Sequence, residues 1–386
     1  MANQAKSARV KADKTFSLKD RLFNATTVDL LCAGLLQADP DFPASKFRNQ
    51  VLAQFPDLEL KACIECMAAA LVPCLPTDYG RAAQVLMAAL PAPLDPTRTD
   101  DDFGDFIWAV PSEYAAREGC TEERLAVSLQ LLRATTARFS AEFAIRPFLK
   151  AFEDETYAFL SDCARDDNYH VRRLASEGIR PFLPWGLRID MAPERVIEML
   201  DVLHADNTRF VTRSVANNLN DLSKIRPDLV LAALKRWRKT KRQSAAELEW
   251  LTRHALRGLV KADNADALAL LGYPTKPEFK VAAVKCAKRV MVGEPLDWSA
   301  RLTSGATQKL KIVLRVHYLK SNGQHAPKVF ALKDCAAKKG EVFELQKRLP
   351  FKAMTTRALY PGEHYIEVVV NGVARSKRSF ALIEGS

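Results

Sequence analysis

Apolar side chains recur every three or four positions from about Leu18 to Leu271, the spacing of short helices that each bury one face. Asp29-Leu-Leu-Cys-Ala-Gly-Leu-Leu36 and Ala83-Gln-Val-Leu-Met-Ala-Ala-Leu90 show it plainly. Clusters of proline and aspartate interrupt the pattern at Asp39-Pro40, Pro76-Thr77-Asp78 and Pro91 to Pro96, and Asp100 to Asp102 predicts a solvated loop. After Gly272-Tyr-Pro-Thr275 the texture changes. Leu310 to Tyr318 and His364 to Val370 alternate or run apolar with β-branched residues, Asn322-Gly323 and Asn371-Gly372 mark turns, and Arg375 to Leu382 predicts a closing strand. About seven short strands in roughly a hundred residues suggest a sandwich of the immunoglobulin type.

The helical region contains a pair of repeating patterns. Glu142-Phe-Ala-Ile-Arg-Pro-Phe-Leu149 returns, one residue shorter, as Glu177-Gly-Ile-Arg-Pro-Phe-Leu183. Arg173, Arg213 and Arg253 stand forty residues apart, each two positions after an apolar residue (Val171, Val211, Leu251). Asp167-Asn168 and Asp206-Asn207 precede the first two copies as helix starts. A period near forty carried by helix pairs is that of HEAT-type repeats, which stack into a solenoid with a concave face. The expected fold is therefore an all-α HEAT-like repeat solenoid over residues 18–275, then an all-β immunoglobulin-like sandwich over 280–386, with 1–17 a mobile basic tail.

Charge refines this picture. The chain of 386 residues has a formal net charge of +11. Residues 280–386 hold 20 of its 57 lysines and arginines but only 8 of its 46 acids, so the whole excess lies in the predicted sandwich and points to a polyanionic partner. No stretch approaches the ~18 uninterrupted apolar residues of a membrane span. Eight cysteines set mostly among apolar neighbours, such as Cys32, Cys74 and Cys163, suggest buried thiols in a reducing, cytoplasmic setting. Cys63-x-x-Cys66 lies inside a helical pattern with no second pair, so neither a metal nor a redox role is expected.

Candidate chemistry follows from helix geometry, because positions four apart share a face. Arg173 then aligns with Glu177, Arg213 with Asn217 and Asp221, and Arg253 with Arg257, with His254 adjacent. The inner helices are expected to present Glu142, Glu177 and Asp221 along one surface rimmed by arginine, with Trp185 just beyond. An alkylated base such as 3-methyladenine or 3-methylcytosine is already cationic and leaves without protonation. The remaining barrier is positive charge on the deoxyribose, which a carboxylate stabilises while it positions water. Arginines would hold the phosphates. The plainer reading is that each of these groups bridges neighbouring repeats. Taken singly, Trp185 suits core packing, His170 and His254 suit helix packing, and Trp237 in the basic run Lys235 to Arg242 suits either a phosphate contact or a solvated helix face.

Phe139 to Leu149, His170 to Gly178, Arg180-Pro-Phe-Leu-Pro-Trp185, Ser214 to Leu222 and Arg253-His-Ala-Leu256 stand in one order that resembles the AlkC family of HEAT-like-repeat DNA glycosylases. The resemblance runs from Leu18 to Gly272, and the basic β-domain resembles the immunoglobulin-like extension of some AlkC proteins. Ser140-Ala141 and Phe182 depart from it, standing where Thr-Ser and Arg are expected. It implies a monofunctional glycosylase that removes 3-methylcytosine, 3-methyladenine and 1-methyladenine from duplex DNA without metal or cofactor, and a monomer is the default expected of such solenoids. It also implies that the nucleotide is not flipped into a deep pocket. By motif, Asp221 is the expected catalytic acid, Glu142 and Glu177 flank the sugar, and Trp185 contacts the lesion. From the repeat register, Arg173, Arg213, Arg253, His254 and Arg257 are expected at the DNA backbone. The rival functions are a non-catalytic binder of damaged or branched DNA on the same scaffold, and a scaffold for protein partners.

Overall fold

A computed structural model describes residues 17–98, 100, 103–351 and 358–384. The expected amino-terminal tail, apart from Ser17, and Asp101 and Asp102 of the acidic loop lie outside these residues. Sixteen α-helices and eight strands are found among the described residues, and the chain divides into two compact units, one up to Asp221 and one from Leu222. Helices run to Leu270 and the first strand begins at Phe279, so a helical repeat region precedes a β-sandwich.

In the first unit the helices pack through the residues that the 3.6 period singles out. Val28, Leu31, Cys32 and Leu35 form the buried stripe of the helix Ala25–Ala38. That helix approaches the end of the helix Tyr79–Ala88 so closely that a Cβ on Gly34 would stand 2.4 Å from the Ala89 carbonyl oxygen. Polar bonds between successive repeats add register to the apolar packing. Asn168 caps the helix Tyr169–Glu177 through the His170 amide, and Asp206 accepts from the Thr208 amide just before the helix Arg209–Leu222. Arg172 then donates to Asp206 at 2.6 Å, and Arg133 pairs with Asp166 in the same manner one repeat earlier.

The second unit opens with the helices Pro227–Thr240, Ala245–Ala255, Arg257–Lys261 and Ala265–Leu270. Its strands are β1 (Phe279–Cys286), β2 (Arg289–Met291), β3 (Pro295–Ser304), β4 (Gln308–Leu319), β5 (His325–Ala337), β6 (Val342–Pro350), β7 (Gly362–Val370) and β8 (Val373–Ile383). They form a three-stranded sheet, β1-β3-β6, and a five-stranded sheet, β2-β8-β7-β4-β5. The strand beyond the seven expected is β2, a three-residue piece that pairs parallel to β8. Alternation on β3 sends Leu296, Trp298, Ala300 and Leu302 into the core, where they join Ile312 and Leu314 of β4 and Val368 of β7. The β7–β8 hairpin turns through Asn371 and Gly372, both at positive φ as a tight turn of this kind requires.

Residues 366–371 are buried on both faces of the sheet. The outer face meets the preceding helices: Arg315 pairs with Asp263 and Glu367, Tyr273 donates to Asp334 at 2.6 Å, and Lys309 donates to the Leu271 carbonyl at 3.0 Å. That is why β7 reads as a continuous apolar run and not as an alternation.

Trp237 departs from both readings of its basic surroundings. It is 1% exposed and completes, with Val230 and Leu234, the apolar face of the helix Pro227–Thr240. Spacing of four and then three outweighs the charge of its neighbours. Trp237→Ala should therefore destabilise the second unit by about 3–5 kcal/mol in denaturant unfolding. The folded fraction should keep its DNA affinity at fixed salt, whereas a phosphate-contacting tryptophan would lose affinity and leave stability intact.

Candidate active site

Glu142 lies in the turn that leads into the helix Ile145–Ala151, not on an inner helix as expected. Glu177 ends the helix Tyr169–Glu177, and Asp221 sits in the last turn of the helix Arg209–Leu222. Two arginines join the three acids. Arg173 donates to Glu142 Oε2 at 2.8 Å and stands 3.6 Å from Glu177 Oε2. Arg180 donates to Glu177 Oε1 at 2.5 Å and to Asp221 Oδ2 at 2.9 Å. The result is one alternating chain, Glu142–Arg173–Glu177–Arg180–Asp221, drawn from three consecutive repeats.

Neutral donors complete it. Ser140 Oγ donates to Glu142 at 2.9 Å and Ser214 Oγ to Glu177 at 2.6 Å. Asn218 donates to the Ser176 carbonyl at 2.8 Å, which ties the helix of Asp221 to that of Glu177. Burial alone would push the Glu177 carboxyl up, but Arg173, Arg180 and the Ser214 hydroxyl outweigh it and hold it below the usual range. Burial likewise works against the charges of Arg173 and Arg180, and the neighbouring carboxylates reverse it, so both guanidiniums are held more firmly than usual. The carboxylate of Glu177 is thus present as an anion at neutral pH.

Exposure grades across the cluster. Glu177 and Asp221 are each 3% exposed, whereas 16% of the Glu142 side chain is open to solvent. Trp185 is 82% exposed, contrary to core packing, and its backbone is left-handed at φ 61°. Phe182 lies under the Arg188 guanidinium at 4.8 Å, so a cation stands over the position where an arginine was expected.

The three register-related arginines do not share one environment. Arg173 is largely buried, with 12% of its side chain exposed, and is engaged in the carboxylate chain, with its guanidinium also 4.7 Å from the Phe210 ring. Arg213 pairs with Asp100. In the second unit Arg253 pairs with Glu249 on its own helix at 2.8 Å, Arg257 donates to the His254 carbonyl at 2.6 Å, and His254 stacks on Trp250. Three residues at the site went unassigned in the sequence: Arg180, Ser214 and the buried Arg146. The signal for both arginines was the repeated Ile-Arg-Pro-Phe-Leu, which places them at equivalent positions next to Glu142 and Glu177.

Helical repeats that gather acids and arginines, with the exposed Trp185 lining a cavity together with Ser140, precede a basic sandwich, and proteins similar to this chain place that arrangement in the DNA-repair class of helical-repeat proteins. Residues 116–259 match the family described as DNA alkylation repair enzyme, and residues 280–384 match the YhaZ C-terminal Ig-like domain. The chain is 31% identical over 366 residues to the uncharacterised protein YhaZ of Bacillus subtilis strain 168, covering 93% of this chain and 98% of that one. It is 33% identical to the alkylpurine DNA glycosylase AlkC of Pseudomonas fluorescens, solved bound to DNA containing an abasic site analogue. That match has a TM-score of 0.79 and covers 95% of this chain and 99% of the other. The chain belongs to the AlkC-type DNA alkylation repair glycosylases that carry a C-terminal immunoglobulin-like domain.

The linkage of Glu177 predicts an acid-sensitive fold. Its folded value lies below the ordinary 4.5, so its contribution is fully present above that value and is lost as pH falls through the lower folded one. Glu177→Gln should lower Tm at pH 7, since removing one partner of a buried pair costs about 3–5 kcal/mol. It should also flatten the fall of Tm below pH 4.5, measured by calorimetry across that range. A variant curve parallel to that of the unmutated protein would place the acid sensitivity elsewhere.

Proposed function

We propose that this glycosylase hydrolyses the N-glycosidic bond of cationic N-methylated bases (3-methylcytosine, 3-methyladenine and 1-methyladenine) in duplex DNA, without drawing the nucleotide into a deep pocket. The observation that carries the reading is the convergence of Glu142, Glu177 and Asp221, with their arginines, from three repeats of one compact unit. Water attacks the anomeric carbon as the bond to the base nitrogen breaks. The bonding pair leaves with the base and cancels its positive charge, and a proton from the water passes to Asp221. Glu142 and Glu177 oppose the positive charge that grows on the sugar, a role for which fixed anions need no rearrangement. Trp185 offers its π face to the cationic base, a contact worth on the order of 1 kcal/mol or more once desolvated.

Asp221→Asn should lower single-turnover release of 3-methylcytosine from duplex DNA by about a hundred-fold or more, the range of a lost general base. Affinity for the lesion duplex should change little. Free base together with an abasic strand from the unmutated protein separates hydrolysis from mere binding of damaged DNA. Full-rate release by the Asn variant would make the carboxylate chain a brace between repeats and remove Asp221 from the chemistry.

The basic sandwich is proposed to grip the DNA backbone. Lys280 and Lys285 on β1, and Lys288 after it, are exposed. Replacing all three with alanine should flatten the dependence of log affinity on log salt by about one for each lysine that meets a phosphate. An unchanged slope would assign this edge of the sandwich another role.

A further inference from the structure

Arg146 and Arg180 occupy the same place in two copies of one motif, and each reaches one repeat forward. Arg180 Nε donates to Asp221, 41 residues on; Arg146 Nε donates to the Leu187 carbonyl, also 41 residues on. A carboxylate receives the first bond and a backbone carbonyl the second. Arg146 Nη1 donates in addition to the Gly178 carbonyl at 2.7 Å.

Arg146 is wholly buried, and among the described residues its Nη2 has no hydrogen-bond partner. Burial and the neighbouring Arg180 bring its guanidinium down to about 10, while Glu142, Glu177 and Asp221 favour its charge. A buried donor left without a partner is costly, and an apolar side chain would fill the space with no such loss. The position of the two carbonyls gives the guanidinium a purpose. Gly178 directly follows Glu177, and Leu187 is two residues past Trp185.

Trp185 needs such a support. Its ring is exposed and its backbone is left-handed, a conformation that a bulky residue keeps only where its surroundings enforce it. The segment beside it is tightly seated, since a Cβ on Gly186 would stand 3.0 Å from Leu183 Cδ2 and 3.2 Å from Arg146 Nε.

We propose that Arg146 is a positioning residue: by clamping the Gly178 and Leu187 carbonyls it fixes Trp185 at a set place in the cavity it lines with Ser140, the donor to Glu142. The indole then meets the cationic base already oriented, without ordering a loose loop on binding. This inference rests on the lesion contact proposed for Trp185.

The test uses the full chain labelled with 5-fluorotryptophan, with the Trp185 resonance assigned through Trp185→Phe. Arg146→Lys replaces the planar guanidinium by a single amino nitrogen, which cannot span both carbonyls. It should shift or broaden the Trp185 fluorine resonance and leave the other tryptophan resonances in place. It should also slow single-turnover release of 3-methylcytosine by about five-fold and by no more than Trp185→Ala does, since the loss can only be that of the Trp185 contact. In the Trp185→Ala background the same change should cost less than about two-fold, because both substitutions remove one function. Gly186→Ala presses on the same contact from the loop side and should move the same resonance, which keeps the test open if the lysine variant does not fold. An unmoved resonance in every variant that folds, or an undiminished effect of Arg146→Lys on top of Trp185→Ala, overturns the proposal. Full-rate release by Trp185→Ala alone overturns the lesion contact instead, and the resonance then still decides whether Arg146 holds the loop.

Discussion

The first unit depends on an alternating run of charge, acid–arginine–acid–arginine–acid, closed through side chains far apart in sequence. Arg173 reaches back 31 residues to Glu142, Ser214 reaches 37 back to Glu177, and Arg180 reaches 41 forward to Asp221. Removing an ion from water costs several kcal/mol even after relaxation. The run is tolerable only while every member keeps its neighbours, so it holds three repeats to one register. Apolar contacts between helices can slide by a fraction of a turn at small cost, whereas a guanidinium hydrogen-bonded to acids of two repeats cannot. The same register places Arg172 against Asp206 and Arg133 against Asp166 outside the cluster.

That constraint also narrows the chemistry. A conventional glycosidase keeps one carboxyl protonated so that it can donate to the leaving group. Here Arg173 and Arg180 hold Glu177 in its ionised form, which suits a base that is already cationic and needs no proton. On the proposed mechanism Glu177 has no proton to give a neutral base.

Sequence periodicity carried most of the architecture, because both the 3.6 period and the two-residue alternation are direct consequences of which faces are buried. It carried less of the site. Glu142, Glu177 and Asp221 could be placed together from the repeats, but their partners could not be separated by register alone. Arg173 and Arg213 fall at equivalent positions, yet one sits within the cluster and the other reaches Asp100 in a connecting segment that the repeat pattern does not describe. Core packing, the reading of Trp185 taken singly, and a surface place for Trp237 both fail, for a related reason. Trp237 followed its apolar spacing into the core despite basic neighbours, and that spacing was legible. Trp185 lies in an irregular segment at positive φ, where no period exists to say which way a side chain points. Arg146 was hidden because its acceptors are backbone carbonyls, which no residue type announces.

The second unit shows how a basic domain can be built without loosening its fold. Arg315 and Lys309 are turned to structural use: the first spans Asp263 and Glu367, and the second caps the Leu271 carbonyl with its ammonium 4.5 Å over the Tyr273 ring. These contacts lie on the face of the five-stranded sheet that the preceding helices cover. The lysines of β1 belong to the other sheet and remain solvated, where positive charge costs the fold little and stays available to a polyanion. Burial therefore sorts the cations of this unit into two sets, and only the solvated set can respond to salt as phosphate contacts do.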